Sequence, residues 1–492
     1  MCKCIVVSIL FALLGIAVLV IGLVLGFAVF DIVIDDEIRE ITRLEIGTPQ
    51  YNRWTEPPHP IFLKVYFFNI TNSDLVTING SKPIVEEIGP YVYRQYRTRF
   101  VVNITEDNDI LTYTRSKNFQ FDSEASGNYN LDDTIRVLNV PLLATLQMFE
   151  MHDNLSYFDE HWRAAFDIAD DETDPLFHTV SVEQYLFDGY KFCTNLSVQA
   201  FCNDLNSLFA HSKMFKATEN GIAFSFFDYR NGENGNFEIF SGINQINNLG
   251  RIQRWNNQEY MDAWVEESVC NQIRGTDSTI FPPFNDQDSS FDVLYSDICR
   301  IFNLVYDKQI SFKEIQGNRY TLRAEALSIF SPNRWCHCIN ITKNLDGENM
   351  CLPNGFEDMY GCLGINLVLS FPHLFLADNT YASTVDGLNS SQTRHRSYVE
   401  LEPQLGIPLT TAKRMQYNMF LRNNTNITQY VTPAVIPILW FEEVMEISQE
   451  LIDDTINSFL NWTLALEIVT WVLVGVGAAI LVISIIGCLC CR

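Results

Sequence analysis

Four cysteines and one histidine lie within residues 334–362, RWCHCINITKNLDGENMCLPNGFEDMYGC. Such a set could bind a metal ion, carry out thiol redox chemistry or form disulfides. A structural zinc site favours C-x2-C pairs or clustered histidines, whereas Cys336 and Cys338 are separated by one residue and His337 has no second histidine nearby. No metal site is therefore predicted. The choice between free thiols and disulfides depends on the compartment, which the ends of the chain indicate.

Two long apolar segments lie near the ends of the chain. Residues Ile5 to Phe30 contain no charged residue and no proline, and Ile468 to Leu489 are similarly apolar. About 20 apolar residues cross a membrane as a helix, so both segments are predicted to be transmembrane. The first lacks the short apolar region and cleavage site of a signal peptide, so it is predicted to remain as an anchor.

Charges beside the spans predict the orientation. Lys3 precedes the first span and Arg492 follows the second, whereas the opposite flanks are acidic. Positive residues favour the cytosolic side, so the tails 1–4 and 490–492 are predicted to be cytosolic. Residues 31–467 then form an ectodomain in an oxidising compartment.

The predicted ectodomain is rich in N-x-S/T sequons, of which the chain has ten. Such a number indicates a glycosylated surface, although asparagine-rich loops also produce some sequons by chance. Asn461 lies too near the second span for modification to be expected. The nine predicted glycosylation sites are Asn69, Asn79, Asn103, Asn154, Asn195, Asn340, Asn389, Asn423 and Asn426.

The thirteen cysteines divide into two groups. Eight lie in the predicted ectodomain, where disulfides are the default, but eight cysteines allow 105 pairings and the sequence does not choose among them. They are Cys193, Cys202, Cys270, Cys299, Cys336, Cys338, Cys351 and Cys362. The other five lie beside the membrane and are candidates for palmitoylation, or are simply small apolar residues at helix ends. They are Cys2, Cys4, Cys488, Cys490 and Cys491.

The composition and motifs exclude several classes of function. With 60 acidic against 33 basic residues, the chain lacks the basic surface that nucleic-acid binding needs. No G-x-S-x-G, HExxH or P-loop motif occurs, so neither catalysis nor a cofactor is predicted. A channel needs polar positions along a span, and the second span offers only Thr470 and Ser484. Gly22 and Gly26 in the first span suit close helix packing, including homo-oligomerisation, although glycine is common in such spans.

Between the spans, sequence patterns predict an α+β fold based on antiparallel strands. Residues 61–71 and 91–104 are rich in aromatic and β-branched residues. Residues 221–242 resemble a hairpin, because Asn-Gly pairs separate two apolar runs. Helical patterns predict an inserted helical region at about 139–190 and an amphipathic helix at 442–460. No repeat or linker divides the ectodomain, so one large domain is predicted.

Ordered motifs along the whole chain resemble those of class B scavenger receptors, the family that includes fatty-acid translocase, lysosomal integral membrane proteins and insect sensory-neuron membrane proteins. The motifs are WTEPPHPIFLKVYFFNITN (54–72), PIVEEIGPYVYR (83–94), GTDSTIFPPF (275–284), SDICR (296–300), CHC (336–338), SFPHLFLAD (370–378), DGLNSSQTRHRSYVELEPQLG (386–406), AKRMQYN (412–418) and PILWF (437–441). The resemblance implies a large antiparallel β-barrel ectodomain with an apical helical bundle and an internal apolar tunnel. By position it also implies the disulfides Cys270–Cys336, Cys299–Cys362 and Cys338–Cys351. Cys193 and Cys202 match no motif, and only their proximity predicts a bridge.

The resemblance further implies a receptor that binds lipids or lipoprotein particles at the ectodomain apex and passes lipid through the tunnel toward the membrane. Fatty acids, sterols and phospholipids are the expected cargo, because burial gains about 0.8 kcal/mol per CH₂. The plasma membrane is the expected location. The alternative is a lysosomal or endosomal membrane receptor for a lumenal protein, with sterol or lipid export.

The predicted apex, residues 151–178, departs from a surface suited to anionic ligands. It contains eight acidic residues against Arg163 alone, and such a field repels fatty carboxylates. A neutral lipid or a basic protein partner fits it better; the alternative is a solvated acidic loop with no binding role. The predicted ligand contacts are Asp159, Glu160, His161 and Arg163. Lys191, Lys213 and Lys216 follow the segment and are candidates for a tunnel mouth.

Overall fold

The structure is a computed structural model that describes residues 2–58, 60–328 and 334–490. Its residues form two compact units. The terminal unit comprises the helices at both ends of the chain together with residues 404–406, and the sheet unit comprises residues 44–403 and 407–446. Cys491, one of the predicted palmitoylation sites, lies outside the described residues.

Helices occur in both units. In chain order they are α1 (Cys2–Val24), α2 (Phe30–Thr42), α3 (Pro49–Thr55), α4 (Ser73–Asn79), α5 (Ser123–Ser126), α6 (Val140–Met151), α7 (Leu155–Ala165), α8 (Gln199–Leu208), α9 (Arg334–His337), α10 (Tyr360–Leu363), α11 (Asn379–Ala382), α12 (Gln392–His395), α13 (Gln449–Leu451) and α14 (Ser458–Cys490). A π-helical turn, Leu25–Val29, joins α1 to α2, and another, Ile452–Asn457, joins α13 to α14. The chain therefore has one long continuous helix near each end.

These two long helices, Ile5–Thr42 and Gln449–Cys490, are long and apolar enough to cross a membrane. The predicted spans 5–30 and 468–489 lie within them. Both helices continue beyond the apolar segments into residues that carry charge, as at Asp31. Each end of the described chain therefore carries a helix with the length and composition of a membrane span.

Gly22 and Gly26 lie where the two terminal helices pack against each other. A Cβ atom at Gly22 would meet Leu473 and Val474, and one at Gly26 would meet Thr470. The missing side chains therefore allow the helices to approach closely. The face predicted for homo-oligomerisation is thus covered by the chain's own C-terminal helix, and a second copy would have to displace that helix to use it.

The strands lie in the sheet unit. In chain order they are β1 (Ile61–Ile70), β2 (Val85–Ile104), β3 (Ile110–Phe121), β4 (Thr134–Leu138), β5 (Phe177–Ser181), β6 (Tyr190–Phe192), β7 (Phe215–Thr218), β8 (Gly221–Phe224), β9 (Gly232–Phe240), β10 (Ile252–Trp255), β11 (Ser290–Tyr295), β12 (Arg300–Phe312), β13 (Ile315–Leu322), β14 (Glu357–Asp358), β15 (Val368–Ser370), β16 (Tyr398–Glu402), β17 (Ile407–Leu421) and β18 (Ala434–Glu446). Thirteen of them form one large antiparallel sheet, in the order β10-β9-β3-β2-β1-β18-β17-β16-β13-β12-β11, with β15 and β14 added beside β17.

The large sheet is an open ladder, whereas a closed barrel was predicted. Its edge strands β10 and β11 do not pair with each other in the described residues. Both instead hydrogen-bond a short intervening segment: Ile252 N–H donates to Gly275 O (2.7 Å), and Thr276 N–H donates to Asp292 O (2.9 Å). Only Gly275 and Thr276 of this segment make these bonds, and two residues are too few to form a strand. The sheet therefore does not close into a barrel between β10 and β11.

The predicted strands at 61–71 and 91–104 are confirmed by β1 and β2, but the hairpin predicted at 221–242 is wrong. β8 pairs with β6 and β7 in a small sheet, whereas β9 pairs with β3 and β10 in the large one. Between them, the N–H groups of Phe226 and Phe227 donate to the carbonyl oxygens of Tyr185 (3.0 Å) and Leu186 (2.8 Å). These bonds carry the chain from one sheet to the other, so it does not turn back.

The helix predicted at 442–460 begins later than expected. Residues 442–446 continue β18, where Glu443 lies opposite Leu63 of β1 and Lys413 of β17. The helix starts at Gln449, where Ser448 Oγ accepts a hydrogen bond from the Leu451 N–H (3.3 Å). Pairing on both sides of the strand outweighs the helical pattern of its last residues.

The region 139–190, which was predicted to be helical, contains α6 and α7 together with the β5 strand of the β4–β5 pair. Asn139 caps α6, because its Oδ1 accepts a hydrogen bond from Leu142 N–H (3.2 Å). α6 is buried from Val140 to Phe149, so it is a core helix rather than a surface one. A further helix, α8, follows beyond residue 190.

Candidate functional site

A group of charged side chains lies on the buried face of the large sheet. Arg97 and Arg99 of β2 and Arg115 and Lys117 of β3 point to that face, because alternate residues of a strand face the same side. Arg97 lies opposite Lys117, and Arg99 lies opposite Arg115. Like charges directly opposite each other destabilise a sheet, so these pairs require counter-ions.

Asp297 and Glu443 are the central counter-ions. The Asp297 carboxylate accepts hydrogen bonds from Lys117 Nζ (2.9 and 2.8 Å) and lies 2.9 Å from the Arg230 guanidinium. Arg230 also binds Glu443, which lies 3.9 Å from Lys413 Nζ. One arginine therefore links carboxylates from two distant parts of the chain.

Arg230 has two ionic partners, whereas Arg97, Arg99 and Arg115 have fewer. Arg97 lies 3.3 Å from the Glu443 carboxylate, and Arg99 lies 3.0 Å from the Asp277 carboxylate. Arg115 has no carboxylate within 4.0 Å among the described residues, and it donates to a serine hydroxyl at 2.9 Å. The carboxylates therefore do not balance every cation.

We call this group the charged belt. Its members are Arg97, Arg99, Arg115, Lys117, Arg230 and Lys413 with Asp277, Asp297 and Glu443. Six basic side chains face three carboxylates, so not every basic side chain of the belt has its own acidic partner. Aromatic rings stabilise part of it: the Arg230 guanidinium lies 5.1 Å from the Phe227 ring, and Lys413 Nζ lies 4.2 Å from the Tyr295 ring. The belt was not predicted from the sequence; its signal is the alternating Arg-x-Arg at 97–99 and Arg-x-Lys at 115–117 within two strands.

The environment of the belt shifts the pKa values of its groups. Burial lowers the pKa of Lys413 to about 7, against the opposing effect of Asp297. Burial likewise lowers the pKa of Lys117 well below its usual value. Burial acts to raise the pKa of Asp297, but the surrounding cations outweigh it and hold that pKa well below the usual range. Asp297 therefore stays ionised, whereas burial weakens the preference of the two lysines for their charged form.

A cleft of about 560 Å³ borders the belt at Lys117, and we call it the lysine cleft. Lys213 and Lys216 also line it. Lys216 Nζ lies 4.0 Å from the Asp228 carboxylate. Lys213 Nζ lies 3.3 Å from each sulfur of the Cys299–Cys362 disulfide and has no carboxylate within 4.0 Å among the described residues.

Lys191, Lys213 and Lys216 were predicted to lie near a tunnel mouth, and the structure places all three beside the small sheet. Lys191 of β6 and Lys216 of β7 both lie opposite Ala223 of β8, so they share one exposed face. Lys213 precedes β7 and lines the cleft. The cleft opens to solvent. The internal apolar tunnel stays a prediction.

The four predicted ligand contacts lie on α7, and the fold uses three of them. Asp159 accepts a hydrogen bond from Asn426 Nδ2 (3.0 Å), and burial raises its pKa. The His161 ring stacks on an aromatic ring with 5.5 Å between centroids. Arg163 donates to a carbonyl oxygen of the following loop and packs over an indole ring 4.5 Å away. Of the four, only Glu160 is exposed, and the other three are half-buried.

The acidic segment 151–178 is partly neutralised within the fold. Asp174 is buried, and its carboxylate binds Arg136 (2.5 Å) and accepts from the Thr77 hydroxyl (2.6 Å). The remaining exposed carboxylates of the segment are Asp153, Glu160, Asp167, Asp170, Asp171 and Glu172. The segment therefore keeps a negative surface, although a smaller one than the sequence indicates.

The eight cysteines of the predicted ectodomain form four disulfides. The pairs are Cys193–Cys202, Cys270–Cys336, Cys299–Cys362 and Cys338–Cys351. They coincide with the pairs that the resemblance and, for the first, proximity had implied. Among the described residues, no group of three or more His, Cys, Asp or Glu side chains could hold a metal ion. The stretch 334–362 is therefore a disulfide cluster.

The predicted modification sites differ in accessibility. Eight of the nine sequon asparagines are exposed, whereas Asn69 is half-buried and its Oδ1 accepts a hydrogen bond from the Arg136 N–H (2.9 Å). Near the membrane, Cys488 and Cys490 are free thiols, of which Cys490 is exposed. Glycosylation and palmitoylation stay predictions, and Asn69 is the least accessible of the nine positions.

Comparison with known proteins gives consistent matches over nearly the whole chain. The model of the CD36 family matches residues 13–488. Sensory neuron membrane protein 2 of Drosophila melanogaster is 30% identical over 96% of this chain and 96% of its own length. The protein of the same name from Heliothis virescens is 32% identical over 95% of this chain and 90% of its own. Lysosome membrane protein 2 of Homo sapiens is 27% identical over 91% of this chain and 88% of its own length.

Proposed function

Because the chain belongs to the CD36 family, we propose that it is a scavenger-receptor-like membrane protein that binds lipids or lipoprotein particles and passes lipid toward the membrane. The family match over residues 13–488, which includes most of both long apolar helices, is the observation that carries the proposal. A chain with a span at each end keeps its binding domain tied to the bilayer. Such a protein can transfer a water-insoluble molecule without releasing it into water.

In this proposal the bound molecule is a fatty acid, a sterol or a phospholipid, and it moves through an internal apolar tunnel. Transfer of each CH₂ group out of water gains about 0.8 kcal/mol, so a chain longer by two CH₂ groups binds roughly tenfold more tightly. The binding itself supplies the driving force, and no bond is made or broken. The protein therefore acts as a receptor and conduit rather than as an enzyme.

Photo-crosslinking of the full chain in detergent tests lipid binding by the sheet unit. A photoreactive fatty acid and a photoreactive sterol are each added, crosslinked and located by peptide mass spectrometry. The expected labels lie in peptides from residues 44–403 or 407–446, which belong to the sheet unit. An excess of unlabelled lipid should remove these labels.

Lipids that merely surround the spans provide the internal control for that experiment. They would label the helices Ile5–Thr42 and Gln449–Cys490, which are long and apolar enough to cross a membrane. Labels confined to these two helices, with none in the sheet unit, would overturn the proposal. Transfer of a fluorescent lipid from donor particles into cells then tests the conduit role, with cells lacking the protein as the reference.

The acidic segment favours a second candidate function, that of a lysosomal or endosomal receptor for a basic lumenal protein. Its exposed carboxylates include a run, Asp170 to Glu172, with no basic residue between them. A relative with 27% identity is named Lysosome membrane protein 2. Imaging of a tagged full chain against surface and lysosomal markers separates the two candidates. Residence at the plasma membrane supports the first, and steady-state residence in lysosomes supports the second.

A further inference from the structure

The sequon at Asn340 lies inside a small disulfide loop. Cys338 and Cys351 form a bridge with a sequence separation of 13 residues, and the sequon Asn340-Ile341-Thr342 lies between them. The Asn340 side chain is exposed, and its Oδ1 atom lies 2.8 Å from Cys338 Sγ. A glycan attached to this asparagine therefore extends into solvent in the folded protein.

The hydroxyl residue of the same sequon is buried. Thr342 is only 2% exposed, and its Oγ1 donates a hydrogen bond to Asp358 Oδ1 (2.7 Å). The Thr342 N–H donates to the other oxygen of that carboxylate (2.7 Å), and Asn366 Nδ2 donates to the Thr342 hydroxyl (3.2 Å). Asp358 is itself buried and also accepts from the Tyr360 N–H (3.0 Å). The hydroxyl is therefore held by two side chains that lie later in the chain.

Glycosylation of a sequon needs both of these groups. The asparagine amide nitrogen forms a bond to the anomeric carbon of a lipid-linked oligosaccharide, the diphosphate leaves that carbon with the bonding electrons, and the nitrogen loses a proton. The N-x-S/T pattern shows that the hydroxyl of the third residue is also required. In the folded protein Asn340 is accessible but Thr342 is not. The folded segment is therefore no acceptor, although it can carry a glycan that was added earlier.

Most of the nine predicted glycosylation sites lack this burial. At one other site the hydroxyl residue, Thr428, is buried, but the bonds of its hydroxyl lie within its own turn, residues 424–428. Bonds of that kind open without displacing a distant segment. Asn195 lies inside the other small disulfide loop, and its hydroxyl residue Ser197 is exposed. Asn340 therefore combines a disulfide loop with a hydroxyl that a distant carboxylate buries.

The burial of Thr342 depends on chain that is synthesised later. Asp358 belongs to β14, which pairs with β15, and β15 pairs with β17 through Val368 and Asn418. At roughly 5–20 residues per second, Asn418 follows Asn340 by about 4 to 16 seconds. Disulfide formation takes seconds or longer. The sequon is therefore open for some seconds during synthesis and is closed once the segment has folded.

We propose that Asn340 is glycosylated only before the Cys338–Cys351 bridge forms and Asp358 binds Thr342, so that the rate of bridge formation determines which molecules carry this glycan. Oxidation of the two thiols passes two electrons and two protons to the disulfide of a lumenal thiol oxidoreductase. Fast oxidation leaves Asn340 bare, and slow oxidation leaves it glycosylated. The inference concerns modification during folding and is independent of the proposed lipid binding.

The fraction of molecules that carry a glycan at Asn340 tests the inference. The full chain is expressed in eukaryotic cells, its glycans are released by an amidase in heavy-oxygen water, and peptide mass spectrometry counts the isotope-labelled positions. Because synthesis of the next segment and bridge formation both take seconds, roughly half of the wild-type molecules should carry the glycan. Asn195 is measured in the same sample as the internal reference, because Ser197 is exposed.

Two variants keep the sequon and remove what buries it. Cys351→Ser opens the loop, and Asp358→Ala removes the acceptor of the threonine hydroxyl. Each should raise occupancy at Asn340 by about twofold, to nearly full, because the sequon then stays open beyond the seconds of synthesis. Occupancy at Asn195 should not change. Cys202→Ser is the matched control, because it opens the other small loop, and it should leave occupancy at Asn340 as in the wild type.

Each outcome of this experiment supports or overturns the inference. Higher occupancy at Asn340 in both variants, with Asn195 unchanged, supports it. Full occupancy in the wild type overturns it, because burial would then not limit the modification. Failure of either variant to raise the occupancy also overturns it, and this includes the absence of any glycan at Asn340. An equal rise at Asn195, or in Cys202→Ser, overturns it as well, since a general delay in folding would explain that result.

Discussion

Replacing Asp297 with asparagine is expected to destabilise the sheet unit strongly, because this residue is the main counter-ion of the belt. Asp297→Asn keeps the size of the side chain and removes its charge. Its carboxylate binds Lys117 at 2.8 Å and Arg230 at 2.9 Å, and only 11% of the side chain is exposed. After the substitution both cations remain buried, with Glu443 as the one remaining carboxylate on Arg230.

The expected size of the effect follows from these contacts. Removing one partner of a buried ion pair costs about 3 to 5 kcal/mol, because the other charge is left uncompensated. The sheet unit has about 400 residues, so its unfolding entropy is about 0.8 kcal/mol per kelvin. The melting temperature should therefore fall by about 4 to 6 °C.

The measurement is thermal unfolding of the full chain in one detergent, at one scan rate, because unfolding of a disulfide-bonded membrane protein is commonly irreversible. Asp228→Asn is the control, since that carboxylate is 43% exposed and lies 4.0 Å from its lysine. It should melt within about 1 °C of the wild type, as expected for a surface pair. If Asp297→Asn melts together with the control, the belt is not held by the ion pairs described here.

Three further substitutions test other parts of the fold. Burial lowers the pKa of His178 to about 3, so the neutral ring stabilises the fold above pH 6.5, and about 2 kcal/mol of this stability is lost by pH 5. His178→Phe should therefore lose less stability on acidification than the wild type. An unchanged dependence of the melting temperature on pH would contradict this. Gly26→Leu should lower the melting temperature of the monomer, because the leucine side chain would collide with Thr470. If the substitution instead dissociates an oligomer and leaves the melting temperature of the monomer unchanged, Gly26 does not serve packing within the chain. Joint replacement of Cys193 and Cys202 by serine should cost about 2 to 3 kcal/mol, measured by melting against the wild type under non-reducing conditions, and a cost near zero would contradict a formed bridge.

Features encoded by local patterns were predictable from the sequence. The apolar segments at both ends are long enough to identify the two helices by length alone, and β1 is marked by its aromatic and β-branched residues. The disulfide pairs could not be predicted from local patterns, because cysteine spacing left 105 pairings open. The family resemblance supplied three of the pairs.

Features that depend on distant partners were not predictable. The run that includes Phe226 and Phe227 resembles one arm of a hairpin, but its N–H groups bind carbonyl oxygens some forty residues earlier in the chain. Residues 442–446 carry a helical pattern, but β1 and β17 pair with them on both sides. In each case a long-range contact outweighs the local preference, and no single sequence records that contact.

The belt was missed for a related reason. Arginine and lysine at alternate positions of a strand usually mark its solvent face, and Arg97, Arg99, Arg115 and Lys117 fit that pattern. The structure turns these positions inward, where Asp297 and Asp277 reach them from about 180 residues away in the chain. Charged residues that are buried although their sequence pattern indicates a solvent face are expected at functional sites. A fold keeps such a destabilising arrangement only when other interactions or a function compensate for it.

Net charge and local charge act over different distances in this protein. The chain as a whole carries −27, which acts on an approaching anion over about one Debye length, roughly 8 Å at physiological salt. The charges of the belt act only at contact, within the sheet unit and partly out of water. The acidic composition therefore argues against capture of free anionic particles at long range.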